Sequence, residues 1–83
     1  MMNKEDIIKT INGFLVEEFE IDESKISPDA HLKNDLGLES LDFVDIAVIV
    51  QKEFGLTLKG EEMTGVKNLQ DLYDYIFNAL QKK

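Results

Sequence analysis

From Leu41 to Phe54 the chain runs fourteen residues without a glycine or proline, and nine of them are apolar: Leu41, Phe43, Val44, Ile46, Ala47, Val48, Ile49, Val50 and Phe54. The β-branched residues make a strand the rival reading for Ala47 to Val50, but the unbroken length favours a helix, which Gly55 ends. A helix apolar nearly all round either sits at the centre of a bundle or keeps a second apolar face for a partner. Either way the rest of the chain has to supply elements that cover it.

Two amphipathic segments do so. From Asn3 to about Phe19 the residues Ile7, Ile8, Ile11, Phe14, Leu15 and Phe19 follow a three-four spacing, with Asn3 as a cap and Glu5 and Asp6 in the favourable first turn. Asn68 and Asp71 open a last helix that carries Leu69, Leu72, Tyr73, Ile76, Phe77 and Leu80, and it closes on Gln81-Lys82-Lys83. Between the first two helices, residues 20–39 contain Asp, Ser, Pro28, Asn and Gly, with apolar anchors at Ile21, Ile26, Leu32 and Leu36. They read as a long ordered loop, and loops of that length in compact domains are usually functional. After Gly55, Leu56 and Leu58 lead into a short turn or helix around Glu61 to Thr64. The expected fold is all-α: a small four-helix bundle of three long helices and one short one, with 1–83 as a single domain and no internal repeat. Such a chain buries only about 60% of the surface its unfolded form exposes, which leaves a thin core.

Charge narrows the function. Nine lysines, no arginine and seventeen acids give a net charge of −8, and residues 17–45 hold ten of those acids against Lys25 and Lys33 alone. The other residues balance at seven acids and seven lysines, so the whole excess lies on the loop and the start of the second helix. Nucleic acid and anionic membrane would be repelled, whereas protein partners with basic patches would be steered to this face. The chain has no cysteine and a single histidine, so no Cys/His set can hold zinc, and the loop acids lack the spacing of an EF-hand; no metal site is expected. No stretch has the length of a membrane span or the form of a secretory leader, which makes a cytoplasmic protein the expectation.

Ser40 lies where the acidic loop meets the apolar helix, in the run Asp35-Leu36-Gly37-Leu38-Glu39-Ser40-Leu41-Asp42. A nucleophilic serine needs a neighbouring base, and the lone His31 stands in a polar loop with no second histidine to assist it. Ser40 therefore reads as a hydroxyl displayed for modification, a substrate rather than a catalyst.

On these residues the sequence resembles the acyl carrier proteins, whose attachment motif is Asp-Ser-Leu at the start of the second helix after a Leu-Gly turn. The resemblance runs through Ile26-Ser27-Pro28-Asp29, Leu36-Gly37-Leu38-Glu39-Ser40-Leu41-Asp42, Glu53-Phe54-Gly55 and Asp71-Leu72-Tyr73-Asp74-Tyr75-Ile76. It implies a 4′-phosphopantetheine moved from coenzyme A onto Ser40 by a phosphopantetheinyl transferase, and a monomeric carrier that is no enzyme. It further implies partners such as acyltransferases, ketosynthases or acyl-activating ligases that present basic patches. Glu39, Leu41, Asp42, Val44, Asp45 and Val48 match the partner-docking surface of the family. Leu41, Val44, Asp45 and Val48 fall at i, i+3, i+4 and i+7, on one helical face, although ordinary core packing is an equal reading for Leu41 and Val44. Phe43, Ile46, Ile49, Leu58, Met63, Val66 and Tyr75 are candidates to line a cavity for the acyl chain, with plain core packing the alternative for each.

The chain departs from the family pattern at five positions. Glu39 stands where the family has aspartate, and a glutamate is a poorer cap because its carboxylate is one methylene further from the backbone. Gln51 and Lys52 replace acids, and Ile49 and Met63 replace small residues. Two alternatives to an acyl carrier for fatty-acid or related lipid and polyketide synthesis remain open. One is an aminoacyl carrier of the D-alanyl or peptidyl type; the other is an acidic helical adaptor that is never modified.

Overall fold

The structure, a computed structural model, describes residues 3–59, 63 and 65–82. Its helices are α1 (Lys4–Phe19), α2 (Ser40–Phe54) and α3 (Leu69–Gln81), with one turn of 3-10 helix at Glu23–Lys25. Among the described residues there is no strand, and an isolated antiparallel bridge pairs His31 with Asn68. The fold of the described residues is all-helical, with three α-helices among them. Of the short helix expected around Glu61 to Thr64, Glu61, Glu62 and Thr64 lie outside the described residues, and Met63 is helical. The 3-10 turn lies inside the first loop. There the Asp22 carboxylate accepts hydrogen bonds from the Ser24 N–H at 3.0 Å and the Ser24 hydroxyl at 2.9 Å. These bonds favour the charged form and hold the Asp22 carboxyl below its ordinary range.

α1 and α3 each start on an asparagine whose side chain accepts a first-turn amide. Asn3 Oδ1 accepts the Asp6 N–H at 2.8 Å, and Asn68 Oδ1 accepts the Asp71 N–H at 2.9 Å. α1 ends at Glu20 in the left-handed region, φ 55°, and α2 ends at Gly55, φ 69°. α1 buries Ile7, Ile11, Phe14 and Leu15, and α3 buries Leu69, Leu72, Tyr73 and Ile76, each set on one face at helical spacing.

α1 and α3 pack together, and polar contacts fasten the edges of the seam. The Tyr73 hydroxyl donates to Asn12 Oδ1, and burial pushes the phenol up against the opposing effect of that bond. Lys4 Nζ pairs with the Asp74 carboxylate and stands 5.8 Å from the centre of the Phe77 ring. Gln70 Nε2 donates to the same carboxylate at 3.0 Å.

The first loop is a structural element in its own right. It contributes Ile21, Ala30, Leu32, Leu36 and Leu38 to the core, while Ile26, expected as an anchor, is only half-buried. Its backbone also completes α3. The first two amides of a helix have no partner within it, and here the Leu69 N–H donates to the Ala30 carbonyl at 3.0 Å and the Gln70 N–H to the Pro28 carbonyl at 2.9 Å. A third bond, from the Leu32 N–H to the Lys67 carbonyl at 2.9 Å, closes the clamp.

Two tests of these contacts follow. Gly37 has φ +72°, with open space where a Cβ would stand, so Gly37→Ala meets only the backbone penalty. It should lower the unfolding free energy by about 1 kcal/mol, read as a shifted urea midpoint at unchanged slope. Asp74, bonded to Lys4 and Gln70, has its carboxyl held below the ordinary 3.8. Its folded value is depressed, so the bridge stabilises fully above the unfolded value and is lost as pH falls through the folded one. Asp74→Asn should therefore be less stable than the parent at pH 7, by no more than about 1 kcal/mol for this half-exposed pair. The gap in urea midpoint should shrink in high salt and close as the pH drops below 3.8.

Candidate functional site

A tight turn delivers the start of α2 to the surface. The Asp35 and Leu36 N–H groups donate to the His31 carbonyl at 2.9 and 3.1 Å, Gly37 N–H to the Lys33 carbonyl at 3.1 Å, and Leu38 N–H to the Leu32 carbonyl at 3.0 Å. The chain can fold back this sharply because Gly37 takes the left-handed conformation. Leu38 is thereby returned to the core, so the next two residues, Glu39 and Ser40, emerge exposed.

Glu39 caps α2, and Ser40 is its first residue. The capping box closes chiefly from the Asp42 side: Asp42 Oδ2 accepts the Glu39 N–H at 2.8 Å. The reciprocal contact of the Glu39 carboxylate with the Asp42 amide is present but short of full hydrogen-bond geometry, which agrees with glutamate being the poorer cap. The first-turn amides around Ser40 and the positive end of the helix dipole favour an anion on its hydroxyl.

His31 has its imidazole engaged with the backbone of its own loop. Its Nδ1 accepts the Lys33 N–H at 3.2 Å and the Asn34 N–H at 3.1 Å, and its own N–H donates to Asp35 Oδ2 at 2.7 Å. The histidine is the hub of the loop, a role that a single sequence position does not advertise.

Beside Ser40 opens a cavity of about 700 Å³. Of the residues expected to line an acyl cavity, Phe43, Leu58, Met63 and Val66 line it. Ile46, Ile49 and Tyr75 do not: Ile46 is fully buried in the core, and Ile49 and Tyr75 pack half-buried against it. Leu32, Val44 and Ala47 complete the apolar wall, and His31, Lys33 and Lys67 supply its polar part. One signal for this was available in the sequence. Ser40, Phe43, Val44 and Ala47 fall at i, i+3, i+4 and i+7, so the stripe that carries the hydroxyl is the stripe that walls the cavity.

The adjacent stripe faces water. Leu41, Val44 and Val48 are 78%, 60% and 62% exposed, which rules out the core reading for Leu41 and Val44. Glu39 and Asp45 are exposed beside them and Asp42 is half-buried. α2 buries only Ile46, Val50 and Phe54, so it is a helix with a second, uncovered apolar face.

The family described as the phosphopantetheine attachment site matches residues 9–76, which include Ser40 and all of α2. The chain belongs to the acyl carrier protein family. It is 31% identical over 79 residues to an acyl carrier protein of Thermosynechococcus vestitus, covering 95% of this chain and 98% of that one. It is 33% identical over 82 residues to that of Coprothermobacter proteolyticus, covering 99% and 100%, and 26% identical over 83 residues to that of Cyanidium caldarium, covering 100% and 96%. The family's prosthetic group is 4′-phosphopantetheine, and its role is to carry acyl intermediates. The site fits such a group: Ser40 is exposed, it stands at a helix N-terminus that would favour a phosphate, and an apolar cavity lies alongside. No described helix is long and apolar enough to cross a membrane, and no cluster of metal-ligating side chains occurs among the described residues.

The two stripes of α2 should separate in mutagenesis. Leu41→Ala and Val48→Ala should move the urea-unfolding free energy by less than about 0.5 kcal/mol. Ile46→Ala, one turn away and fully buried, should cost about 2–5 kcal/mol.

Proposed function

We propose that Ser40 is the attachment point, so that 1–83 forms one carrier domain whose acyl cargo rides on an arm rooted at the first residue of α2. The observation that carries the reading is the exposed Ser40 hydroxyl, first in its helix and on the rim of the cavity, within the region that matches the phosphopantetheine family. A phosphopantetheinyl transferase moves the group from coenzyme A, the Ser40 oxygen forming the new phosphodiester as the pyrophosphate bond breaks and adenosine 3′,5′-bisphosphate and the hydroxyl proton leave. The arm's thiol, which the cysteine-free chain lacks, holds the acyl groups as thioesters. The chain's own residues bind, orient and shield. The first turn of α2 accommodates the phosphate charge, and Phe43, Leu58, Met63 and Val66 withdraw an acyl chain from water. Catalysis is left to the partners.

The exposed stripe of Leu41, Val44 and Val48 with Glu39, Asp42 and Asp45 serves as the docking face. Acyltransferases, ketosynthases or acyl-activating ligases with basic patches fit it, through apolar contact at the centre and charge steering around it. Gln51 and Lys52 at the far end of α2 weaken any partner that reads acids there. The monomeric carrier works in the cytoplasm in fatty-acid, related lipid or polyketide synthesis. A short helix between α2 and α3 completes the four-helix bundle; the Met63 N–H bonded to the Lys59 carbonyl at 3.2 Å has the helical spacing that supports it.

Incubation with coenzyme A and a broad-specificity phosphopantetheinyl transferase should add the mass of one phosphopantetheine to the parent chain and nothing to Ser40→Ala. An unchanged parent mass, or a gain that survives in Ser40→Ala, defeats the proposal. Loading the modified protein from fatty-acyl and from aminoacyl donors should succeed with the first alone.

A further inference from the structure

The charge around Ser40 is lopsided. On the docking side stand Glu39, Asp42 and Asp45; on the cavity side stand Lys33 and Lys67, both exposed and both lining the cavity that Ser40 lines. Residues 17–45 hold ten acids and only one lysine besides Lys33, so a cation here is against the local trend. Among the described residues neither Lys33 nor Lys67 is in an ion pair; the one ion pair there joins Lys4 and Asp74.

The two lysines are also held in place by the backbone. The Lys33 N–H donates to His31 Nδ1 at 3.2 Å and its carbonyl accepts the Gly37 N–H at 3.1 Å. The Lys67 carbonyl accepts the Leu32 N–H at 2.9 Å, and its N–H donates to Asp71 Oδ2 at 3.2 Å. The loop before α2 and the residues before α3 are thus tied together at the point where both lysines line the cavity.

We propose that Lys33 and Lys67 form an anion subsite for the phosphodiester of the prosthetic arm, drawing the arm over the cavity and away from the acidic docking face. The proposal rests on attachment at Ser40. A phosphodiester there carries a negative charge that Glu39 and Asp42 repel and the two ammonium groups attract, so both forces tilt the arm the same way. His31 acts as a positioning residue by holding the Lys33 backbone. The subsite is an electrostatic bias rather than a lock, because exposed pairs of this kind are weak and salt-sensitive.

The absence of cysteine makes a direct test available: the arm's thiol is the only thiol in the modified protein. Parent, Lys33→Gln/Lys67→Gln and Lys9→Gln proteins are converted with coenzyme A and transferase, and each conversion is verified by intact mass. Alkylation by an uncharged maleimide is then timed at low salt, at a pH above the ordinary thiol range so that thiolate fraction does not enter. The double variant should react roughly two- to fivefold faster than the parent, the size expected for loss of two screened ion pairs. Molar salt should raise the parent to the variant's rate, and the phosphorus resonance should move with salt in the parent and stay still in the double variant. Equal rates at low salt overturn the subsite, and so does an equal acceleration in Lys9→Gln, which would assign the effect to net charge. Failure to gain mass in the first step is a different result: it overturns attachment at Ser40 itself, and the subsite with it.

Discussion

Three main-chain hydrogen bonds carry the architecture on which the site depends: Leu69 N–H to Ala30, Gln70 N–H to Pro28 and Leu32 N–H to Lys67. The first two give the first amides of α3 the acceptors that no helix can supply for itself, taken from a loop that would otherwise run free over the surface. The third returns a loop amide to the carbonyl of Lys67 just before the helix. Asn68 Oδ1 serves the third amide, so the N-terminus of α3 is satisfied partly by its own cap and partly by the loop. Without this clamp nothing would hold His31, Leu32 and Lys33 beside Val66 and Lys67, and the cavity would lose one of its walls. The loop in turn has to be ordered, which is why a 20-residue connection spends Ile21, Ala30, Leu32, Leu36 and Leu38 on the core.

The clamp also sets how α2 is used. A small chain has little interior to offer, and the α1–α3 seam with the loop residues fills most of it. α2 therefore buries the single row Ile46, Val50 and Phe54 and leaves two stripes outside. One, through Ser40, Phe43, Val44 and Ala47, walls the cavity; the other, through Leu41, Val44 and Val48, meets water. Exposed apolar side chains on a small acidic protein weaken its solubility, and the acids interleaved with them offset this. Val44 belongs to both stripes, lining the cavity and meeting water.

Much of this was legible in the sequence because it follows from local chemistry. Asn3, Asn68 and Gly55 mark helix ends through bonds and dihedrals that their own side chains, or the lack of one, permit. The spacing of Ile7, Ile11, Phe14 and Leu15, and of Leu69, Leu72, Tyr73 and Ile76, predicts which faces are buried. Ser40 was recognisable as a displayed hydroxyl for a similar reason: a left-handed glycine, an acidic cap and an absent base are all near it in the chain. Phe43, Leu58, Met63 and Val66 line the cavity beside Ser40 while Ile46, Ile49 and Tyr75 turn to the core, a division the sequence does not announce because a half-apolar helix does not say which of its faces the core will take.

By itself, then, the sequence determined the three long helices, the acidic excess around the start of α2 and the position of Ser40, since each is set within a few residues along the chain. Only the tertiary structure decided that the loop caps α3 through the carbonyls of Pro28 and Ala30, that His31 organises the turn, and that Lys33 and Lys67 meet at the cavity. The His31 bonds are local, reaching only Lys33, Asn34 and Asp35, but the other two share a physical reason. Backbone carbonyls are the same in every residue, and a contact between positions more than thirty residues apart leaves no periodic trace, so neither can be read until the chain is closed on itself.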